Sequence, residues 1–182
     1  MVSRFQVDLQ QADSVRSTAL SLLDQATPWQ LAEGDRLLLG RAARLHEIGL
    51  SITHNKHHLQ GAYILRYADL PGFSRREQIW LALLVQTHRR KIDMAAFDQV
   101  PREERTTVIR LCIILRLSVL LHRLRQYSAT RNEINVGHDS VHLALSQSQQ
   151  NNRLLGADLE REQSWLLKAG YNLDLSGALQ PV

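Results

Sequence analysis

Five side chains able to bind a metal or a phosphate crowd the stretch Leu45 to Leu65, which reads LHEIGLSITHNKHHLQGAYIL. They are His46, Glu47, His54, His57 and His58. A second group, His88-Arg89-Arg90-Lys91, lies further on. Imidazole and carboxylate suit divalent metals. Guanidinium and ammonium groups suit phosphate oxygens, which they meet with charge-assisted hydrogen bonds. Spacing decides against one metal chemistry. A zinc-protease helix needs HExxH on one continuous face, and here the second His is missing and Gly49 interrupts the turn. Three anion-binding candidates remain. Lys56-His57-His58 opens a helix, where free backbone N–H groups and the dipole favour an anion. Arg89, Arg90 and Lys91 put three fixed charges in succession. Arg116 lies inside an apolar helix, on a face shared with Arg105 and Arg123, and a buried Arg requires an acceptor. That acceptor is either Glu47 or another acid, which is structural, or a phosphate. His54 and His122 read as surface or packing residues.

Helices must position these groups. Ala12, Val15, Ala19, Leu22, Leu23 and Ala26 recur at the spacing of one buried helical face, predicting a helix over 8–26. Thr27-Pro28-Trp29-Gln30 reads as a capping box that restarts the chain. Asp35 is expected to cap a helix over 36–48, with Leu38, Leu39, Ala42, Ala43, Leu45 and His46 inward and Gly49 as a left-handed stop. Asn55 is expected to cap a third helix through Leu65. Asp69-Leu70-Pro71-Gly72 is a turn, and Ser74 with Glu77 opens a helix over 75–88. A short helix is expected around 94–97. Pro101 precedes a long helix over 102–126, apolar nearly all round between Val108 and Leu121 and therefore central to the core. After Thr130 the pattern alternates. Ile134–Val136 and Val141–Leu145 flank Gly137-His138-Asp139 as a hairpin, Leu155–Ala169 is helical, and Tyr171–Leu175 is a strand. The fold class expected is mainly α: a helical domain over 1–130 followed by a small α+β (ββαβ) unit over 131–182, with a loose tail.

Composition narrows the function. The chain is 44% hydrophobic and 22% charged, which is ordinary for a globular protein. No apolar run is long enough for a membrane span, and the N-terminus lacks a signal-peptide core. The single Cys112 excludes an internal disulfide and sits among Leu and Ile, as an inert buried thiol does. A cytoplasmic protein without a transmembrane segment is expected. The formal charge is +4 and uneven. Between His54 and Lys91 stand 7 Lys and Arg against 2 acids, an excess able to attract a polyanion. Few aromatics interleave with the basic residues, which argues against a specific nucleic-acid partner.

The order L-H-E-I-G, then His57 four residues before Gly61-Ala62-Tyr63-Ile64-Leu65, then His88, resembles the HD superfamily of helical metal phosphohydrolases. Carried over by position, the leading His falls near Gln11 or Ala12. His46 matches the His of the dyad, and Glu47 stands where the family has Asp. His57 matches a helix-start His. His88 matches the first of a later pair whose second member is Arg89 here. The distal Asp falls near Val119. The longer run LHEIGLSITHNKHHLQGAYILRYADLPGFSRREQ…LVQTHRRKI resembles the C-terminal half of the exopolyphosphatase / guanosine pentaphosphate phosphatase family, over about residues 5–175.

That resemblance implies an HD-like helical domain with vestigial metal positions His46, Glu47, His57 and His88, and no metal or other cofactor in this chain. It implies that an N-terminal actin-like half carries the catalytic groups and Mg²⁺, and that this chain is a fragment that does not hydrolyse alone. The role implied is to grip inorganic polyphosphate, through Lys56, His57, His58, Arg89, Arg90, Lys91 and Arg116, and to build a homodimer. The other reading is a stand-alone metal-dependent phosphohydrolase using His46, Glu47, His57 and His88.

Overall fold

The chain folds around a helix that its apolar pattern marks out. A computed structural model describes residues 7–125 and 132–175. The helices are α1 (Leu9–Gln25), α2 (Glu33–Leu45), α3 (His57–Tyr67), α4 (Arg75–Thr87), α5 (Arg102–Leu121), the short α6 (Gln147–Gln150) and α7 (Arg153–Lys168). On α5, Val108 and Leu111 through Ser118 are all buried. α1, α2, α4 and α7 pack on it. Each Leu or Ile buried this way contributes about 1.5–3 kcal/mol of transfer free energy. The element order bears out a mainly α fold with a small α+β unit.

That unit is a three-stranded sheet in the order β1 (Glu133–Val136), β2 (Ser140–Ala144), β3 (Asn172–Asp174). β1 and β2 form the expected hairpin, antiparallel with Val136 opposite Val141. β3 returns parallel to β2 after α6 and α7. Ile134, Val136, Val141, Leu143, Leu159, Leu166 and Leu173 belong to the same continuous core as the helices. Trp29 pins the sheet to them. It is buried, its indole N–H donates to the Gly137 carbonyl at 2.7 Å, and its ring meets Tyr171 edge-on.

Local chemistry departs from the sequence pattern at several joints. The capping box at Ser74 and Glu77 forms as expected. The one read at Thr27 and Gln30 does not: Thr27–Trp29 is a 3-10 turn without a side-chain cap, and Gln30 is left-handed. Asp35 is inside α2, where its carboxylate accepts from the backbone N–H of Ala32 at 2.9 Å. Asn55 does not cap α3; Lys56 stands at the N-cap position, left-handed and without a side-chain cap hydrogen bond. α5 stops at Leu121, short of position 126, because His122 to Arg125 turn away. Gly49 is not a left-handed stop. It lies in a 3-10 turn (Ile48–Ser51), and a Cβ there would stand 2.0 Å from the His57 carbonyl and 2.6 Å from the Gly61 nitrogen. Close approach, not backbone angle, requires glycine. The expected domain boundary at 130/131 and the tail over 177–182 lie outside the described residues.

Candidate phosphate-binding cleft

The C-terminal ends of α2, α4 and α5 meet the starts of α1 and α3 at one place, and α7 closes the side. There a cleft of about 380 Å³ opens, lined by Gln11, His46, Glu47, His57, His88, Arg89, Arg90, Val119, Leu120, Arg123, Arg125, Asp158, Arg161, Glu162 and Trp165. The positions carried over from the sequence motif, Gln11, His46, Glu47, His57, His88 and Val119, thus all face one cavity. They come from five elements separated by more than a hundred residues of chain.

The imidazoles are packed against one another. The His46 and His88 rings are 5.4 Å apart, and His57 and His88 are 5.8 Å apart. His46 donates through Nδ1 to the Ala43 carbonyl and His88 through Nδ1 to the Val85 carbonyl, both at 2.7 Å. Burial pushes His46 down to about 4, and nearby arginines act in the same direction. Burial and the neighbouring His46 hold His88 well below the usual histidine range. Burial, with Arg89 beside it, also lowers His57. These rings are therefore neutral at pH 7, and positive charge in the cleft is supplied by arginine.

Five guanidinium groups and three carboxylates line the cleft. Arg125 donates to Glu47 at 3.0 and 3.2 Å and also pairs with Asp8. Arg123 pairs with Asp158, which lies 3.9 Å from Arg161. Arg89 lies 2.9 Å from Nδ1 and 3.2 Å from Nε2 of His57. None of the cleft's carboxylate pairs among the described residues engages Arg89 or Arg90. Helix C-termini favour cations, which helps to gather arginines here. Two of them also sit in a costly backbone conformation: Arg90 has φ 64° and Arg125 φ 52°. A left-handed non-glycine residue costs about 1–2 kcal/mol, and such strain concentrates at functional sites.

The expected binding residues divide. His57, Arg89 and Arg90 line the cleft. Lys56 and Lys91 are exposed outside its lining. His58 is buried beside His57 and His88, pushed down to about 4 by burial and Arg89, and is not part of the lining. Of Lys56, His57 and His58, His57 faces the cleft. Arg116 is corrected to a structural role. It is 1% exposed and bidentate to Glu162, at 2.5 Å from Nε and 2.8 Å from Nη2. Two more donors serve the Thr87 and Arg90 carbonyls, and its guanidinium lies over the Trp165 ring. Four of its five N–H donors are engaged in this way, and the residue is not part of the cleft lining. Its acid is Glu162, not Glu47. Sequence reasoning missed Arg123, Arg125 and Arg161 as cleft residues. The signal for Arg123 and Arg125 was the run of basic residues just after α5; Arg161, on α7, had none.

The donors do not suit a divalent metal. Glu47 is taken by Arg125, and the His57 nitrogens face a guanidinium. Among the described residues, no three His, Cys, Asp or Glu side chains are placed to hold a metal.

The architecture is that of a mainly helical domain with a basic cleft at its converging helix ends. A family model described as Ppx/GppA phosphatase, domain III, matches residues 1–163. The chain belongs to the Ppx/GppA phosphatase family. Among its described residues, no helix is long and apolar enough to cross a membrane.

Proposed function

We propose that this chain is the polyphosphate-gripping part of an exopolyphosphatase, an enzyme that releases terminal phosphate from inorganic polyphosphate. The observation that carries the reading is the convergence of Arg89, Arg90, Arg123, Arg125 and Arg161 on one cleft whose histidines are neutral. Polyphosphate carries about one charge per phosphate and offers acceptors only, so it is held as a nucleic-acid backbone is, by counterion release. Arg89 and Arg90 make first contact, since no cleft carboxylate competes for them. Arg123 and Arg125 then exchange Asp158 and Glu47 for phosphate oxygens. Lys56 and Lys91 extend the basic surface outward. The cleft is the remnant of an HD-type metal site in which guanidinium has replaced the metal. Hydrolysis, with Mg²⁺, belongs to an actin-like N-terminal half of the parent enzyme, and the assembly is a cytoplasmic homodimer.

Arg89→Glu with Arg90→Glu tests the reading. Polyphosphate affinity falls at least tenfold while the melting temperature holds. Unchanged affinity in the folded double variant sinks the assignment. The metal-phosphohydrolase alternative is tested in the same preparation: Mn²⁺-dependent phosphate release that His46→Ala abolishes would establish it instead.

A further inference from the structure

Arg89 and Arg90 stand on a bend that the backbone does not secure by itself. α4 ends at Thr87, and Arg90 is left-handed, with φ 64°. Among the described residues, the Arg90 carbonyl accepts from no backbone N–H. A strained residue of this kind persists only where its surroundings over-determine it. Here the constraint comes from Arg116. Its Nη1 donates to the Thr87 carbonyl, and its Nη2 donates to the Arg90 carbonyl at 2.7 Å. One planar guanidinium thus holds both ends of residues 87–90, with His88 and Arg89 between them.

That guanidinium is itself fixed from α7. Glu162 accepts from Nε at 2.5 Å and from Nη2 at 2.8 Å, and the Trp165 ring lies beneath it at 5.6 Å. Glu162 and Trp165 both line the cleft, whereas Arg116 is 1% exposed and does not. An ion pair serving the core alone would be complete on Glu162. Two of the four hydrogen bonds go instead to the bend that carries cleft arginines. We propose that Arg116, oriented by Glu162, is a positioning residue for anion binding. It touches no ligand. It fixes the backbone from which Arg89 and Arg90 reach the cleft, and through Glu162 it makes α7 part of the device. The grip of the cleft therefore depends on the helix of the α+β unit as well as on the helical domain. The proposal rests on the polyphosphate reading of the arginines given above and adds the pair that organises them. By linkage, loosening the pair weakens binding, and binding on Arg89 and Arg90 tightens the pair.

Arg116→Lys tests it in the full chain. An ammonium keeps the charge but cannot fork to a carboxylate and two carbonyls together. Affinity for long-chain polyphosphate, read by calorimetric titration below the melting temperature of every variant, falls about fivefold. In the Arg89→Gln, Arg90→Gln background the same substitution changes affinity by less than about twofold, because the groups it positions are gone. Leu143→Ala, in the buried face of β2 and outside the cleft lining, lowers the melting temperature and leaves affinity unchanged. Glu162→Asp shortens the acid by one methylene and weakens binding about threefold, which keeps the test decisive where Arg116→Lys does not fold. If the folded Arg116 and Glu162 variants bind as the native chain does while Arg89→Gln, Arg90→Gln binds weakly, positioning is overturned and the polyphosphate reading stands. Equal losses from Arg116→Lys in the two backgrounds, or a matching loss in Leu143→Ala, also overturn positioning, since general loosening of the fold is then the cause. If the native chain does not bind, or Arg89→Gln, Arg90→Gln binds as tightly as the native chain, both readings are overturned.

Discussion

Glu162→Gln removes the charge that Arg116 was buried to meet while keeping the shape of the side chain. Both partners are almost fully enclosed, with side-chain exposures of 1% and 2%. The carboxylate accepts two charge-assisted hydrogen bonds, each worth about 1.5–3 kcal/mol. Breaking a buried pair from one side costs about 3–5 kcal/mol, because a desolvated charge is left behind. The whole fold is worth only about 5–15 kcal/mol. With a urea slope of about 2 kcal/mol per molar, the unfolding midpoint of Glu162→Gln falls by about 2 M. The double variant Arg116→Met with Glu162→Leu removes both charges and should recover part of the loss, the remainder reflecting the Thr87 and Arg90 carbonyls left without their donor. Equilibrium urea unfolding followed by far-UV circular dichroism reads both. A midpoint loss under 0.5 M for Glu162→Gln, or a double variant no better than the single, refutes the structural role given to Arg116.

Two further outcomes follow from the cleft. Arg90→Gly relieves a left-handed arginine and should raise stability by about 0.5–1 kcal/mol, or about 1–4 °C in Tm, while weakening polyphosphate binding; calorimetry and titration together check it. Acid should destabilise the fold through its neutral histidines. His46 titrates at about 4 when folded and near 6.5 when unfolded. Below pH 6.5 the unfolded chain therefore takes up the proton first. The contribution of His46 is fully present above 6.5 and is lost as pH falls to about 4, amounting to about 3 kcal/mol. A stability profile flat between pH 7 and 4.5 contradicts this.

The helices were legible because their apolar spacing is regular and their core faces are long. α1, α4 and α5 begin within a residue of where periodicity and the Ser74 box put them. The joints were less so. Lys56 and Gln30 are left-handed without being glycine, and Gly49 is required by the His57 carbonyl across the turn, a contact no local pattern announces. Of the positions carried over from the family resemblance, Gln11, His46, Glu47, His57, His88 and Val119 line one cleft. The resemblance could not give direction. His58 and Lys56 adjoin His57 in sequence but point elsewhere. Nor could it find long-range partners: Glu162 reaches Arg116 from α7, and Arg161 reaches the cleft from the same helix. Pairings of that kind depend on how elements pack, not on the order of residues within them.

The central claim is that the arginine cleft grips polyphosphate, and its most direct test is the salt dependence of binding for long chains against a chain of a few phosphates. With five arginines engaged, the logarithm of affinity for long polyphosphate should fall against the logarithm of salt with a slope of about −3.5. The Arg89→Glu, Arg90→Glu variant should fall with a slope shallower by about 1.5. Long chains should bind more tightly than short ones of the same composition. A slope near zero, or equal affinity for long and short chains, would contradict the account and leave the arginines as partners of Glu47, Asp158 and the helix ends alone.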